Sequence, residues 1–174
     1  MKFDLSKSLE ILQSTPYVLE KQLCNLSNEW LIQNEGEGTW NSVEIICHLI
    51  HCEKEDWIAR MKIILNDKGN KKFEPFNRTK GFEKSKVETI TELVDEFKKL
   101  REENLDYLRS QMLTENDLDK TGIHPDFGEV TLKQLLATWV VHDLSHIAQI
   151  NRVLAKQYTD EVGQWKEYLP ILKK

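Results

Sequence analysis

The 174-residue sequence lacks any apolar run close to the about 18 residues that a membrane-spanning helix needs. Its first ten residues, MKFDLSKSLE, also lack the apolar stretch of a secretory signal peptide. Basic residues are in deficit, since 24 lysines and arginines face 29 aspartates and glutamates and the formal net charge is −5. We therefore expect a cytoplasmic protein that has neither a membrane nor a nucleic acid as its partner.

Cysteine, glycine and proline are also scarce. The three cysteines, Cys24, Cys47 and Cys52, are odd in number and fall inside helical patterns, which predicts reduced, mostly buried thiols and no disulfide framework. Five of the seven glycines lie between the apolar-periodic segments, as loop residues do. The chain has no repeats and 40% hydrophobic residues, so we expect one domain over residues 1–174.

Four segments place apolar residues three and four positions apart, the spacing of an amphipathic helix. The first begins near Leu5 and contains Pro16, which predicts a kink or a restart with Thr15 as the cap. The second begins at Asn41, with Glu44 in a capping-box relation, and extends to about residues 65–66. No alternating strand pattern competes with these segments over more than a few residues.

The third segment is predicted to begin at Ser85, with Glu88 as its capping partner. The fourth begins at Thr131, with Gln134 in the same relation, and ends near Gln157. The link over residues 67–85 is long enough to cross a bundle, and its aromatic residues predict that it packs against the body. With a short segment over residues 164–172 folded back, the pattern predicts an all-α four-helix bundle.

Two histidines of the fourth segment occupy positions where a core-facing helix would place leucines. The core-facing positions of this segment, which form its seam, recur every three or four residues. His142 and His146 therefore lie on one face, one turn apart. Burying two imidazoles costs free energy unless their nitrogens find partners. A bound metal ion is one way to satisfy both rings at once.

A third imidazole is available from the second segment. His48 lies on its apolar stripe and would meet the pair if the second and fourth helices face each other, while His51 competes for the same place. Three neutral imidazoles suit Zn²⁺, Ni²⁺ or a similar divalent ion and leave at least one position for water or substrate. His124, in the link before the fourth segment, carries little weight.

Other residues near these histidines have a structural interpretation beside the functional one. Glu44 is a helix cap, and Glu55 and Asp143 suit a solvated surface; if the site forms, these carboxylates and Gln149 are candidates for holding the ring N–H groups. Glu55 is also the one candidate for the general base of a hydrolase. The remaining candidates are tryptophans that suit a core and arginines that would bind an anion only if they border a cavity (Trp40, Trp57, Trp139, Arg60 and Arg152).

Two long segments carry a resemblance to a known family. TWNSVEIICHLIHCEKEDWIAR and HPDFGEVTLKQLLATWVVHDLSHIAQINRVL resemble the two signatures of the DinB-like superfamily. The combination of H-D-x-x-H-x-x-Q-I over residues 142–150 with W-x-x-x-E-x-x-x-H-L over residues 40–49 is the most specific part. Shorter similarities in STPYVLEKQLCNLSNEWL, FEPFNR and VGQWKEYLPIL extend it over nearly the whole chain.

The resemblance implies a bundle in up-down-down-up order whose divalent metal is held by His48, His142 and His146. It therefore favours His48 over His51 as the third ligand. It also implies a homodimer and a role in stress or detoxification, because the founding relatives are named for induction by DNA damage. Characterised relatives include metal-dependent transferases of bacillithiol and mycothiol and a mycothiol-dependent maleylpyruvate isomerase.

Three functions remain open at this point. The first is a thiol S-transferase, in which the metal activates a low-molecular-weight thiol cosubstrate such as bacillithiol for attack on a small electrophile. The second is a metal-dependent hydrolase of small amides or esters. The third is a non-catalytic, metal-stabilised bundle that binds a partner. Their order rests on analogy with relatives.

Overall fold

A computed structural model describes residues 1–173, and helices dominate this part of the chain. Within it lie α1 (Leu5–Leu23), α2 (Asn28–Ile32), α3 (Ser42–Glu55), α4 (Trp57–Leu65), α5 (Ile90–Ser110), α6 (Glu115–Leu118) and α7 (Leu132–Lys156). An antiparallel hairpin of β1 (Thr121–His124) and β2 (Gly128–Thr131) connects α6 to α7. Short 3-10 segments cover Phe82–Lys86, Gly163–Tyr168 and Pro170–Leu172.

Two apolar clusters between the long helices show the direction in which each helix runs. One cluster joins the first half of α1 to α4, to the second half of α5 and to the first half of α7. The other joins the end of α1 to α3, to the start of α5 and to the end of α7. Helices α1 and α7 therefore run opposite to α3–α4 and α5, and the predicted four-helix bundle in up-down-down-up order is confirmed.

Two helix starts lie where the capping signals predicted them. At the start of α3, Glu44 N donates to Asn41 Oδ1 and Asn41 N donates to Glu44 Oε2, each over 2.9 Å. At the start of α7, Gln134 N donates to Thr131 Oγ1 over 3.1 Å and the reciprocal bond is 2.8 Å long. These caps satisfy backbone N–H groups that a helix start leaves without partners, and they anchor the two helices that carry the histidines.

The predicted start of the third helix at Ser85 is wrong. Residue 85 lies in a 3-10 segment, where its hydroxyl donates to Phe82 O over 2.7 Å. Helix α5 begins at Ile90, with Thr89 as N-cap and Glu92 completing the capping box. The sequence offers two capping pairs here, Ser85 with Glu88 and Thr89 with Glu92. The second pair starts the helix because the Ser85 hydroxyl is already bonded within the turn.

The second predicted helix is interrupted at one residue. Asp56 has φ −110° and ψ −78°, and it separates α3 from α4. Its backbone N–H still donates to Cys52 O, and its carbonyl accepts from Arg60 N. The helical hydrogen bonds therefore continue across the interruption, and Asp56 lies in the wall of a cavity.

Helix α1 passes through Pro16 without ending, so the predicted restart at Thr15 is wrong. The Thr15 hydroxyl donates to a carbonyl one turn earlier and does not cap a helix. Proline has no N–H, so residue 16 cannot donate to the carbonyl of Leu12. That carbonyl instead accepts from Arg101 Nη1 over 2.9 Å, which uses an acceptor that the proline leaves free.

Arg101 is almost fully buried and forms ion pairs with two buried carboxylates. Its Nη1 lies 2.6 Å from Asp143 Oδ2 on α7, and its Nη2 lies 2.8 Å from Glu53 Oε1 on α3. Glu53 also accepts from Trp139 Nε1 over 3.2 Å and from Asn104 Nδ2 over 2.9 Å. Because buried charges are tolerated only when paired and hydrogen-bonded, this network sets how α3, α5 and α7 align.

The long loop between α4 and α5 packs against the body, as its aromatic residues predicted. Phe73 is buried, and Phe73 N donates to Ile123 O of β1 over 2.9 Å, so the loop pairs with the hairpin. Further along, Gly81 lies so close to α3 that an added Cβ would meet Cys47 O at 2.7 Å. At the other end of the chain, Leu172 is buried beside α7, and the predicted fold-back is confirmed.

Replacing Arg101 by methionine should destabilise the fold strongly. The change leaves Asp143 and Glu53 buried without their cation, and breaking a buried pair costs about 3–5 kcal/mol. The control is Lys99→Met on the same helix, where Lys99 is exposed and lies 4.0 Å from Glu103; surface pairs contribute about 0–1 kcal/mol. Urea denaturation measures both, and equal losses in the two variants would contradict the assigned role of Arg101.

Candidate metal centre

Three histidines from two helices bring their Nε2 atoms to one point. His142 Nε2 lies 3.1 Å from His48 Nε2 and 3.1 Å from His146 Nε2, and the three atoms all lie within 4.8 Å of one another. Nitrogen ligands of a tetrahedral zinc ion are about 3.3 Å apart, given Zn–N bonds of about 2.0 Å. The three histidines singled out in the sequence thus form one cluster whose spacing fits a divalent ion.

The outer nitrogens of two of these rings are already occupied. His48 Nδ1 lies 3.0 Å from the backbone carbonyl of Arg78, which can only accept, so this nitrogen carries the proton. His146 Nδ1 lies 2.8 Å from Gln149 Oε1 and is assigned as a donor in the same way. Both Nε2 atoms therefore direct free lone pairs at the centre of the cluster, the tautomer that a metal ligand requires.

Burial keeps these rings neutral. Desolvation lowers the pKa of His48 to about 4 and that of His142 to about 2, and it also lowers the pKa of His146. The neighbouring imidazoles add to the effect at His48 and His142, because two protonated rings would repel each other. At neutral pH all three rings are in the form that binds a cation, without competition from protons.

A cysteine adjoins the same cluster. Cys52 is one helical turn after His48, and its Sγ lies 3.5 Å from His48 Nε2 and 3.9 Å from His142 Nε2. The side chain is 1% exposed, and burial raises the pKa of its thiol. The sequence predicted a buried thiol here, and the structure adds its position against two of the three rings.

Aromatic side chains flank the histidines, of which His48 is buried and the other two are half-buried. Trp40 stacks on His146 with ring centroids 6.2 Å apart, and Trp57 meets His142 edge-on at 5.1 Å. A cavity of about 840 Å³ opens beside them, and its wall includes all three histidines and Cys52. The hairpin and the long loop complete the wall with Phe73, Phe76 and Phe127.

Arg60 and Arg152 border this cavity, the condition under which the sequence made them candidates for binding an anion. Arg152 donates twice, over 2.7 Å each, to Glu35, a carboxylate that the sequence did not single out. Arg60 Nε lies 2.7 Å from Asp56 Oδ1, although the N–H is not aligned as a hydrogen bond. Arg78, whose carbonyl contacts His48, also lines the cavity.

The other histidines lie away from the cluster. His51 stacks on Phe76 at 4.6 Å on the outer side of α3, and its Nε2 lies 3.9 Å from Glu55 Oε2. His124 lies on β1, where it stacks on Phe127 at 4.5 Å. Both therefore take no part in the group of three imidazoles.

Of the four residues predicted to hold ring N–H groups, only Gln149 contacts one. Glu44 completes the cap of α3, and Asp143 pairs with Arg101 in the core. Glu55 is half-exposed, bonds Lys80 Nζ over 2.6 Å and does not line the cavity. The carbonyl of Arg78 has the supporting role at His48, and a backbone atom supplied from a loop 30 residues away leaves no signal in the sequence.

Comparison with known proteins assigns the family. The model of the DinB superfamily matches residues 11–150 of the chain, a range that contains all three histidines. The chain belongs to the DinB superfamily. No curated protein matches it.

A solved structure supports the same fold for this DinB superfamily member. YfiT from Bacillus subtilis, described as "a probable metal-dependent hydrolase with an unusual four-helix bundle topology", superimposes with a TM-score of 0.75 at 22% sequence identity. The similarity covers 87% of this chain and 86% of YfiT. Among residues 1–173, no helix combines the length and apolar character needed to cross a bilayer.

The metal-free protein should lose stability as the pH falls from about 6.5 to about 4. In this window the unfolded chain binds protons on histidines whose folded-state pKa is lower, so unfolding becomes easier with each added proton. The slope is at most about 1.4 kcal/mol per pH unit for each buried ring. Urea denaturation in the presence of a chelator measures it.

His48→Gln should reduce the slope of unfolding free energy against pH. The control His124→Gln changes a half-buried ring on the hairpin and should retain most of the wild-type slope. A stability that does not change with pH between about 6.5 and 4 would contradict the assignment of buried neutral rings.

Proposed function

We propose that this protein is a divalent-metal-dependent enzyme that acts on a small molecule, with His48, His142 and His146 as the metal ligands. The supporting observation is the convergence of three Nε2 atoms, two of them with their outer nitrogens already bonded, beside a cavity of about 840 Å³. Zinc and nickel are the ions we expect, because neutral imidazoles suit them.

The chain's own residues orient the site and control access to it. The carbonyl of Arg78 and the amide oxygen of Gln149 hold two imidazoles in the tautomer that presents Nε2. Trp40 and Trp57 cover the rings on two sides and limit the approach of water, so a substrate reaches the centre through the cavity. An ion held there supplies Lewis acidity that lowers the pKa of a thiol or a water molecule in its remaining position.

The finer proposal is a thiol S-transferase that uses a low-molecular-weight thiol such as bacillithiol. A thiol activated by the metal needs no protein base, and of the three carboxylates in the cavity wall two face arginines, while the third, Asp126, is exposed beside His124. Glu35 pairs with Arg152, Asp56 faces Arg60, and Glu55 lies outside the cavity wall. This distribution favours the thiol chemistry, since a hydrolase would need a free base beside the ion.

A metal-dependent hydrolase is the second candidate. It is favoured by the description of YfiT, which has the same fold. In this chain Asp56, whose pKa burial raises to about 6, would be the candidate base, in place of Glu55. Turnover of a small amide or ester in the absence of any thiol would support it.

Metal content and activity test the proposal together. Wild-type protein should carry about one zinc or nickel ion per chain, and His48→Ala and His142→Ala should lose it. Only the metal-loaded wild type should consume bacillithiol, mycothiol, glutathione or coenzyme A in the presence of a reactive electrophile. Elemental analysis and a thiol-consumption assay provide the two readouts.

The matched control is His51→Ala, which removes another buried imidazole from α3 without touching the cluster. It should retain both metal and activity. A wild type without metal after reconstitution would contradict the proposed site, and a metal-loaded wild type without any turnover would identify a non-catalytic bundle.

We also propose that the protein forms a homodimer through the outer face of α7 and the C-terminal segment. Val141 and Leu144 are exposed on that helix, and Trp165 and Tyr168 are exposed just beyond it. An interface on this side of the protein would cover these large apolar side chains. Sedimentation should give twice the 20.5 kDa chain mass, and Leu144→Lys should reduce it to that of one chain.

A further inference from the structure

Cys52 has two imidazoles among its neighbours as well as apolar side chains. Cys47 and Cys52 are both buried in apolar clusters, Cys47 in the one at the start of α5 and Cys52 in the one that contains α4. The Cys52 Sγ also lies 3.5 Å from His48 Nε2 and 3.9 Å from His142 Nε2, and Cys52 forms part of the cavity wall. Of the two thiols, only this one adjoins the candidate metal centre.

These two distances match the spacing of ligands on one ion, while the group in which every ligand atom lies within 4.8 Å of the others comprises the three histidines. With Zn–N bonds of about 2.0 Å and Zn–S bonds of about 2.3 Å, nitrogen and sulfur ligands of a tetrahedral zinc ion lie about 3.5 Å apart. A thiol that only donated a hydrogen bond would serve one nitrogen, whereas Cys52 stands close to two that face the same point. The helix provides this placement, because residues 48 and 52 share a face one turn apart.

We propose that Cys52 is a fourth protein ligand of the metal, so that the site is of the three-histidine, one-cysteine type. The inference rests on the metal site proposed above and adds one donor to it. When the Sγ–metal bond forms, the S–H bond breaks and its proton passes to solvent, since a coordinating thiol binds as thiolate.

A sulfur donor has consequences for the choice of metal and for the substrate. Thiolate prefers zinc and other soft ions over magnesium, calcium or manganese, so Cys52 would make the site selective for the former. The cavity side remains the path for the substrate, because zinc sites can expand to a fifth ligand during a reaction.

Cobalt substitution tests this ligand without any activity assay. Co²⁺ added to the metal-free wild type should produce visible ligand-field bands together with a near-ultraviolet thiolate-to-cobalt charge-transfer band. Cys52→Ser should keep the visible bands and lose the charge-transfer band. The control Cys47→Ser, at the buried thiol that faces the other cluster, should keep both.

The outcomes separate this proposal from the site itself. Visible bands without a charge-transfer band in the wild type, or a charge-transfer band that survives in Cys52→Ser, would overturn the sulfur ligand while leaving the three histidines. Failure of Co²⁺ to bind at all would overturn the metal site. If Cys52→Ser does not fold, X-ray absorption at the zinc edge of the wild type decides: one sulfur scatterer supports the proposal, and nitrogen or oxygen scatterers alone contradict it.

Discussion

The buried guanidinium of Arg101 holds together the helices on which the metal centre depends. It pairs with Glu53 on α3 and with Asp143 on α7. These carboxylates directly follow Cys52 and His142 in the chain, so any sliding of α3 against α7 would break the ion pairs before it separated the imidazoles. The cost of leaving a charge unpaired in the core therefore protects the register that brings His48 opposite His142.

The same interaction explains two other features of the bundle. Pro16 leaves the carbonyl of Leu12 without its helical donor, and Arg101 supplies one, so α1 is tied to the same point. Trp139 donates to Glu53 from the seam position one turn before the histidines. The carbonyl of Leu12 and the indole N–H of Trp139 thus find partners around the two terminal nitrogens of Arg101, while Arg101 Nε has no hydrogen-bond partner within residues 1–173.

Given this register, His48 and His146 direct their Nε2 lone pairs at the cluster, beside His142 Nε2. The backbone of the long loop fixes the first ring and Gln149 fixes the second, and burial keeps the imidazoles neutral. Neutral imidazole nitrogens that converge in this way are suited to a divalent cation. Through the cavity beside the rings, such an ion would be accessible to a small molecule.

The sequence predicted most of the bundle and the shared helix face of His142 and His146, because both depend on local periodicity and local caps. The seam of α7 placed His142 and His146 correctly, and the capping pairs at Asn41 and Thr131 located the two helices that matter. The start of α5 was missed, since two capping pairs compete there and only the turn at Ser85 decides between them.

Features that depend on distant parts of the chain could not be predicted. Arg101 looks like a surface residue of an amphipathic helix until α3 and α7 supply its carboxylates. The carbonyl of Arg78 and the pairing of Arg152 with Glu35 likewise join segments far apart in sequence. The short strands of the hairpin carry too few alternating residues to be recognised.

The measurement that tests the central claim most directly is an anomalous difference map from crystals of the purified protein, recorded at the absorption edge of the metal it contains. We expect one peak per chain, within coordination distance of the Nε2 atoms of His48, His142 and His146. A peak bound by other residues, or no peak in crystals grown with added zinc, would contradict the account.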